Sequence, residues 1–316
     1  MCIRDSFMMP EGKRTPAQWL KFANSLRLRL AMRVSNVAPA LAEEQAKAAL
    51  DSKNGGVLET ANETVGQYGI RNPLGGVAGW SEVYMNASLE SYLKGYNDPR
   101  IKSYFNLAQD GRDKEGNIIK EVAGVKQLNS IEGEYKGVRQ GTGVADNRYS
   151  THSQTTITTG SKIIVMSAAE VWFLRAEAAL RNYTSENVEN CYKQGITVSF
   201  AQWDASGVSE YLENTNKPAA YVDAFNKKFD AALATDITPK WDESATLEKK
   251  LERIITQKWL ALYPEGCEAW AEQRRTGYPE LFKVAVNNSS NTINTDIMIR
   301  RVFFNQDYKT DNKALY

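Results

Sequence analysis

From Trp19 onward apolar residues recur three or four positions apart (Trp19, Phe22, Leu26, Leu30, Val34), and that spacing predicts an amphipathic helix of about five turns. Thr15-Pro16-Ala17-Gln18 ahead of it has the form of a capping box with proline at the first helical position. The opposite face carries Lys21, Arg27, Arg29 and Arg33 and is read as a solvated face in preference to an anion or partner surface. A second helix over 40–50, after Pro39, completes an αα-hairpin. The glycine-rich, polar stretches within 54–79 read as irregular loop. Helical spacing resumes through Val83, Tyr84, Ala87, Leu89, Tyr92 and Leu93 and predicts a helix from Trp80 to Tyr96. Pro99 closes it by disfavouring the α conformation at Asp98.

Asp110 to Asn117 is a turn cluster. Placed in the register of a calcium loop it lacks the first and last carboxylates, so a hairpin turn is the better reading. Residues 129–161 form the longest polar segment, with Tyr135, Arg139, Arg148 and Tyr149 interleaved; loops of that length in compact domains are usually functional or disordered. Ser167-Ala168-Ala169-Glu170 is a second capping box, and the helix behind it is apolar on more than one side. In the next helix, over 186–203, Gly195 sits on the apolar face and predicts close approach of a neighbouring helix. Such a pair is the unit of an α-solenoid. Leu247, Leu251, Ile254, Ile255, Trp259 and Leu262 make a further stripe, broken at Pro264 and restarted at Cys267 to Trp270. Arg274 and Arg275 then complement the helix dipole before Gly277. Cys191 and Cys267 are read as buried thiols, and Trp172, Trp259 and Trp270 as core.

Composition narrows the chemistry. The chain has 316 residues, and 39 basic against 38 acidic side chains leave a formal charge of +1, which offers no field for nucleic acid. Three cysteines without a CxxC pair and a single histidine, His152, remove structural zinc and HExxH sites, and a serine triad would need His152 with no GxSxG elbow present. No metal or cofactor is expected. Mean hydropathy is −0.49, and the most apolar stretch, 163–180, is interrupted by Glu170, Arg175 and Glu177, so it does not read as a membrane span. The first residues have no apolar segment of signal-peptide type.

Five blocks in order carry a family resemblance. They are Trp19 to Arg33, Asn97-Asp98-Pro99-Arg100 with Tyr104-Phe105, Met166 to Ala179, Tyr192 to Ser199, and Thr256 to Pro279. Together they resemble the SusD/RagB family of nutrient-binding outer-membrane lipoproteins of Bacteroidota, over residues 13 to the end. Arg300-Arg301, Asn305 to Tyr308 and Asp311-Asn312 resemble the family's closing segment, with Val302 and Phe303 in place of the usual proline. The resemblance implies an all-α, SusD-like fold of tetratricopeptide-like helix pairs with irregular loops as a ligand face. Residues 13–316 would be one such unit with 54–79 and 129–161 as loop-rich insertions, and 1–12 a non-native or disordered start.

It further implies a cell-surface protein that captures oligosaccharide or peptide without chemistry, as the lid of a TonB-dependent, SusC-like transporter, tied to the outer membrane by a lipid anchor. Cys2 has no apolar segment before it and does not fit the lipidated residue, so the sequence is read as a fragment. The family's blocks are scaffold, so the site is argued from chemistry instead. Sugars stack on aromatic faces and bond to amides and arginine, which singles out Tyr68, Arg71, Asn72, Trp80, Tyr84, Tyr135, Arg139 and Tyr149 in the two loop regions. A tetratricopeptide-type interaction scaffold and a helical glycosidase using two carboxylates remain as alternatives.

Overall fold

The computed structural model describes residues 15–299 except 81, 145, 146 and 291. The expected non-native start, Cys2 and the arginine-rich closing segment lie outside the described residues. Helix α1 (Pro16–Val34) begins where its capping residues ask it to: Thr15 is extended and its hydroxyl accepts the Gln18 N–H at 3.3 Å. It packs against α2 (Pro39–Leu50) as the expected hairpin. Region 54–79 is more ordered than a loop, holding β1 (Val65–Gln67) and α3 (Pro73–Ala78).

The helix expected from Trp80 starts only at Ala87, as α4 (Ala87–Gly95). Asn86 caps it by accepting the Ser88 N–H at 2.8 Å. Ahead of the cap the backbone is committed elsewhere, Tyr84 bridging to Gln154 and Asn86 to Val138, so Val83 and Tyr84 stay extended despite their helical spacing. A short α5 (Ile101–Tyr104) follows. The 110–117 cluster is a turn as expected, closed by the Arg112–Ile118 bridge and by Asp113 accepting backbone N–H groups of Glu115 and Asn117. Beyond it β2 (Glu121–Val122) and β3 (Val125–Lys126) form a small hairpin. β4 (Ile163–Met166) pairs antiparallel with β1, Val65 opposite Met166.

The scaffold proper is α6 (Ala168–Leu180), α7 (Val188–Gln202), the short α8 (Val208–Leu212), α9 (Leu247–Ala261) and α10 (Gly266–Thr276). The main core gathers α1, α2, α4 to α7 and α9 around Leu28, Met32, Tyr92, Tyr104, Phe173, Leu174, Tyr192, Ile196 and Ile254. Gly195 does mark a close approach: a Cβ there would lie 2.8 Å from the fully buried ring of Phe173 on α6. A smaller cluster of Ala108, Ile131, Tyr149, Ala224 and Phe225 anchors the long polar segment.

The basic face of α1 is not solvated. Arg29 donates to both carboxylate oxygens of Glu170 at 2.7 and 2.5 Å, and Arg33 reaches Glu268 at 2.6 Å. Lys21 pairs with Glu63 and Arg27 donates to Gln45. Arg275, expected to complement a helix dipole, is buried between Glu177 and Glu272 at 2.6 Å from each, and Lys258 reaches Glu272 at 3.0 Å. Glu170, Glu268 and Glu177 lie on helices remote in sequence from the Arg29, Arg33 and Arg275 they pair with, which helix periodicity cannot show. Glu170 also explains why the second capping box is half made: Ser167 accepts the Glu170 N–H, while the Glu170 carboxylate is drawn to Arg29. Cys191 is buried as expected, whereas Cys267 is exposed.

Two stability outcomes follow from this packing. Gly195→Leu is expected to cost about 3 kcal/mol, because the Phe173 ring, boxed in by Tyr192, has nowhere to move; an unshifted melting curve would contradict the contact. Glu272→Gln leaves Lys258 and Arg275 short of a counter-charge and should cost about 3–5 kcal/mol at neutral pH. Those two cations hold the Glu272 carboxyl far below the usual carboxylate range against the opposing effect of its burial. Its stabilisation is therefore complete above the ordinary carboxylate pKa and lost as pH falls through its depressed one. Denaturation against pH should show a shallower acid limb in the variant than in the parent.

Candidate functional site

α9 ends at Ala261, and the chain turns through Leu262-Tyr263-Pro264-Glu265 before α10 starts at Gly266. Against this corner lies the extended run that precedes α4. Between them opens a groove of about 250 Å³ lined by Leu74, Val83, Tyr84, Asn86, Leu89, Phe105, Thr155, Trp259, Leu262, Tyr263, Pro264, Glu265, Gly266 and Ala269. Its walls are mainly aromatic and aliphatic. Tyr263 is fixed by stacking on Tyr104, centroids 4.4 Å apart, and by hydrogen bonds to Thr155 and to the Tyr104 carbonyl. Trp259 packs edge-on to Tyr92 at 5.6 Å.

Burial pushes the Tyr263 hydroxyl up to about 12 and raises that of Tyr84, the latter opposed by a hydrogen bond from Gln154, so both phenols are neutral donors at physiological pH. Burial also raises the Glu265 carboxyl, with Arg29 pulling the other way. It is the one acid among the described lining residues.

The eight residues singled out in the sequence do not converge on one site. Tyr84 lines the groove. Trp80, 68% exposed, stands four residues earlier, just past the end of α3, whose Leu74 forms another part of the wall. Tyr68 is half-buried and Arg71 exposed in the loop between β1 and α3. Asn72 is buried and occupied, accepting the Leu74 N–H and donating to the carbonyls of Ser161 and Lys162. Tyr135 is half-buried against the main core. Arg139 spends its guanidinium on the carbonyls of Phe229, Asp230 and Lys283. Tyr149 is only 7% exposed, its ring edge-on to His152 and Phe225 and its hydroxyl donating to Asp223. These last three sit as structural members of the polar segment.

Of the tryptophans assigned to the core, Trp172 is half-buried under the Arg175 guanidinium, and Trp259 faces the core on one side and the groove on the other. Trp270 is 39% exposed. Phe105, Thr155, Tyr263 and Trp259 were missed as groove residues. The readable signal for them was the aromatic-flanked break Trp259 to Gly266 between two patterned helices.

The chain matches a family model, SusD-like, of the SusD and RagB outer membrane lipoproteins, over residues 11–316. It belongs to the SusD/RagB family. A SusD homologue of Bacteroides vulgatus superimposes with a TM-score of 0.84 at 45% identity, covering 95% of this chain and 59% of its own. A chitin-binding SusD homologue of Flavobacterium johnsoniae does so with 0.83 at 38% identity, over 96% and 60%. A SusD homologue of Bacteroides uniformis gives 0.82 at 33%, over 99% and 63%. The SusD-like chain thus spans about three fifths of the length of these solved homologues. No curated protein matches it. The helix-rich architecture agrees with the all-α, SusD-like fold that the resemblance implies.

His152 gives a measurement on the polar segment of this SusD-like chain. Both its ring nitrogens are buried without a hydrogen-bond partner, and burial together with the nearby Lys136 lowers it to about 3. The unfolded chain therefore takes up a proton below about pH 6.5 that the folded one refuses, so folding loses stability as pH falls from there. His152→Phe should remove that part of the acid sensitivity and leave stability at pH 7 equal or higher, since no hydrogen bond is lost. Urea titrations at pH 7 and pH 5 read the difference; equal pH sensitivity in parent and variant would contradict it.

Proposed function

We propose that this chain forms the ligand-holding part of a cell-surface nutrient-binding protein, that it captures uncharged oligosaccharide in the groove at Tyr84, and that it releases it uncleaved to a TonB-dependent transporter for which it acts as lid. The observation that carries the reading is the wall: neutral phenols and indole beside Asn86 and Thr155, with one carboxyl group. Sugar rings pack their C–H faces on aromatic rings and exchange hydrogen bonds with neutral hydroxyls and amides. Family membership supports it, and so does the 38% identical homologue named for chitin binding. Glycoside hydrolysis in its usual form needs two carboxyl groups flanking the bond. Glu265 is the single carboxyl among the described groove residues, which favours binding over cleavage.

Calorimetric titration with oligomers of N-acetylglucosamine, of α-linked glucose and of β-linked glucose, beside an uncharged peptide, tests the substrate class. Trp80→Ala and Tyr84→Ala should each weaken sugar binding by about 1 kcal/mol or more while barely moving the melting temperature. Tyr149→Ala should do the reverse, losing stability through the cavity it leaves in the small cluster. Release of new reducing ends by pure protein would overturn the binding-only reading. Tyr84→Ala binding at parental strength would move the ligand away from this groove.

A further inference from the structure

Adjoining the groove lies a larger cavity of about 750 Å³, within the ~300–1,000 Å³ range of ligand sites. The two compartments share three wall residues, Trp259, Gly266 and Ala269. From there the cavity runs along α10, past Ala269, Trp270 and Gln273, and is bordered on its other side by residues such as Leu281, Val284, Val286 and Ile299. We propose that this cavity is a second subsite that receives the continuation of a neutral glycan chain whose first residues sit at Tyr84; the proposal rests on reading that groove as a glycan site.

The occupant follows from the lining. None of the described residues that line the cavity is ionisable, and the charge beside them is the Arg274 guanidinium over Trp270, so an anionic or cationic polymer would find no charged group in the wall itself to replace its water. Yet the cavity is not purely apolar. The side-chain amides of Gln140, Gln273 and Asn288 hold no hydrogen bond among the described residues, and the indole N–H of Trp259 at the junction is equally uncommitted. An aliphatic ligand would leave these groups unanswered, whereas a hydroxylated or acetamido sugar answers them. Trp270 supplies a preset aromatic surface: the Arg274 guanidinium lies over its ring at 4.5 Å, and its N–H points to the Ile299 carbonyl at 3.4 Å.

Gly266 lines both compartments and borders free space. A Cβ at that position meets no atom within 4 Å, so the glycine answers no packing need of its own and a larger side chain there would project into free space. Its backbone is also outside the left-handed region that would otherwise require glycine.

The test is the dependence of affinity on chain length, measured by calorimetry with N-acetylglucosamine oligomers from the dimer to the hexamer. The parent protein should bind the hexamer about tenfold or more tighter than the dimer. Gly266→Trp, which plugs the passage, and Trp270→Ala, which removes the inner aromatic surface, should each collapse that ratio toward one, with melting temperatures confirming that both variants fold. A ratio unchanged from the parent in both variants would overturn the second subsite while leaving the groove reading intact. Absence of binding by every oligomer would sink the groove reading and the subsite together. Uptake of the uncharged peptide instead of sugar, blocked by Gly266→Trp, would replace the proposed occupant and overturn the proposal.

Discussion

Four helices of this chain are held in place by charges that cannot be left alone. Glu170 and Glu177 on α6, Glu268 and Glu272 on α10, Arg29 and Arg33 on α1, Lys258 on α9 and Arg275 on α10 form one chain of ion pairs, most of them buried. Taking such groups out of water costs several kcal/mol each, and the Coulomb gain offsets it only when every charge keeps its partner. The network therefore adds little net stability over an apolar core, but it penalises any arrangement in which one helix shifts relative to the others. A slide of α10 along α9 would break Lys258–Glu272 and Arg275–Glu177 together. That is a constraint on register, and hydrophobic contact alone imposes a weaker one.

The candidate site depends on this register. Its groove is the corner between α9 and α10, and the corner keeps its shape because both helices are pinned immediately below it. Arg29 sits at the meeting point, paired with Glu170 and close enough to Glu268 and Glu265 to feel both. Glu265 itself faces the groove. The same electrostatic assembly that fixes the scaffold thus reaches the groove wall, whose other members are neutral.

What could be read in the sequence was whatever depends on neighbours in the chain. The α1 and α6 caps, the α1–α2 hairpin, the α6–α7 pair and the small Gly195 all rest on contacts within a few turns, or on a periodicity that faces one core. What could not be read depends on partners far away in sequence. Arg29 and Arg33 look like a solvated stripe until α6 and α10 arrive beside them. Val83 and Tyr84 have helical spacing until the polar segment claims the backbone around them, Gln154 bridging to Tyr84 and Val138 to Asn86. Tyr149 and Arg139 look like ligand residues because they are polar or aromatic in a loop, and loops of that length need internal anchors as much as ligands do.

Trp259 shows why site residues were harder to name than core residues. Its stripe position correctly places one edge of the indole against Tyr92. A helix that ends at a corner, however, offers its last turn to two environments, because the chain that would have covered the outer side has turned away. The ring is then both packing and surface, and no hydrophobic pattern distinguishes that from full burial. For a ligand this is an advantage: an indole locked by the core has little conformational freedom left to lose on binding, so stacking a sugar against it costs less than ordering an exposed ring such as Trp80. Affinity in the corner would then come from rigid walls set by the ionic scaffold, and capture from the exposed loop aromatics in front of it.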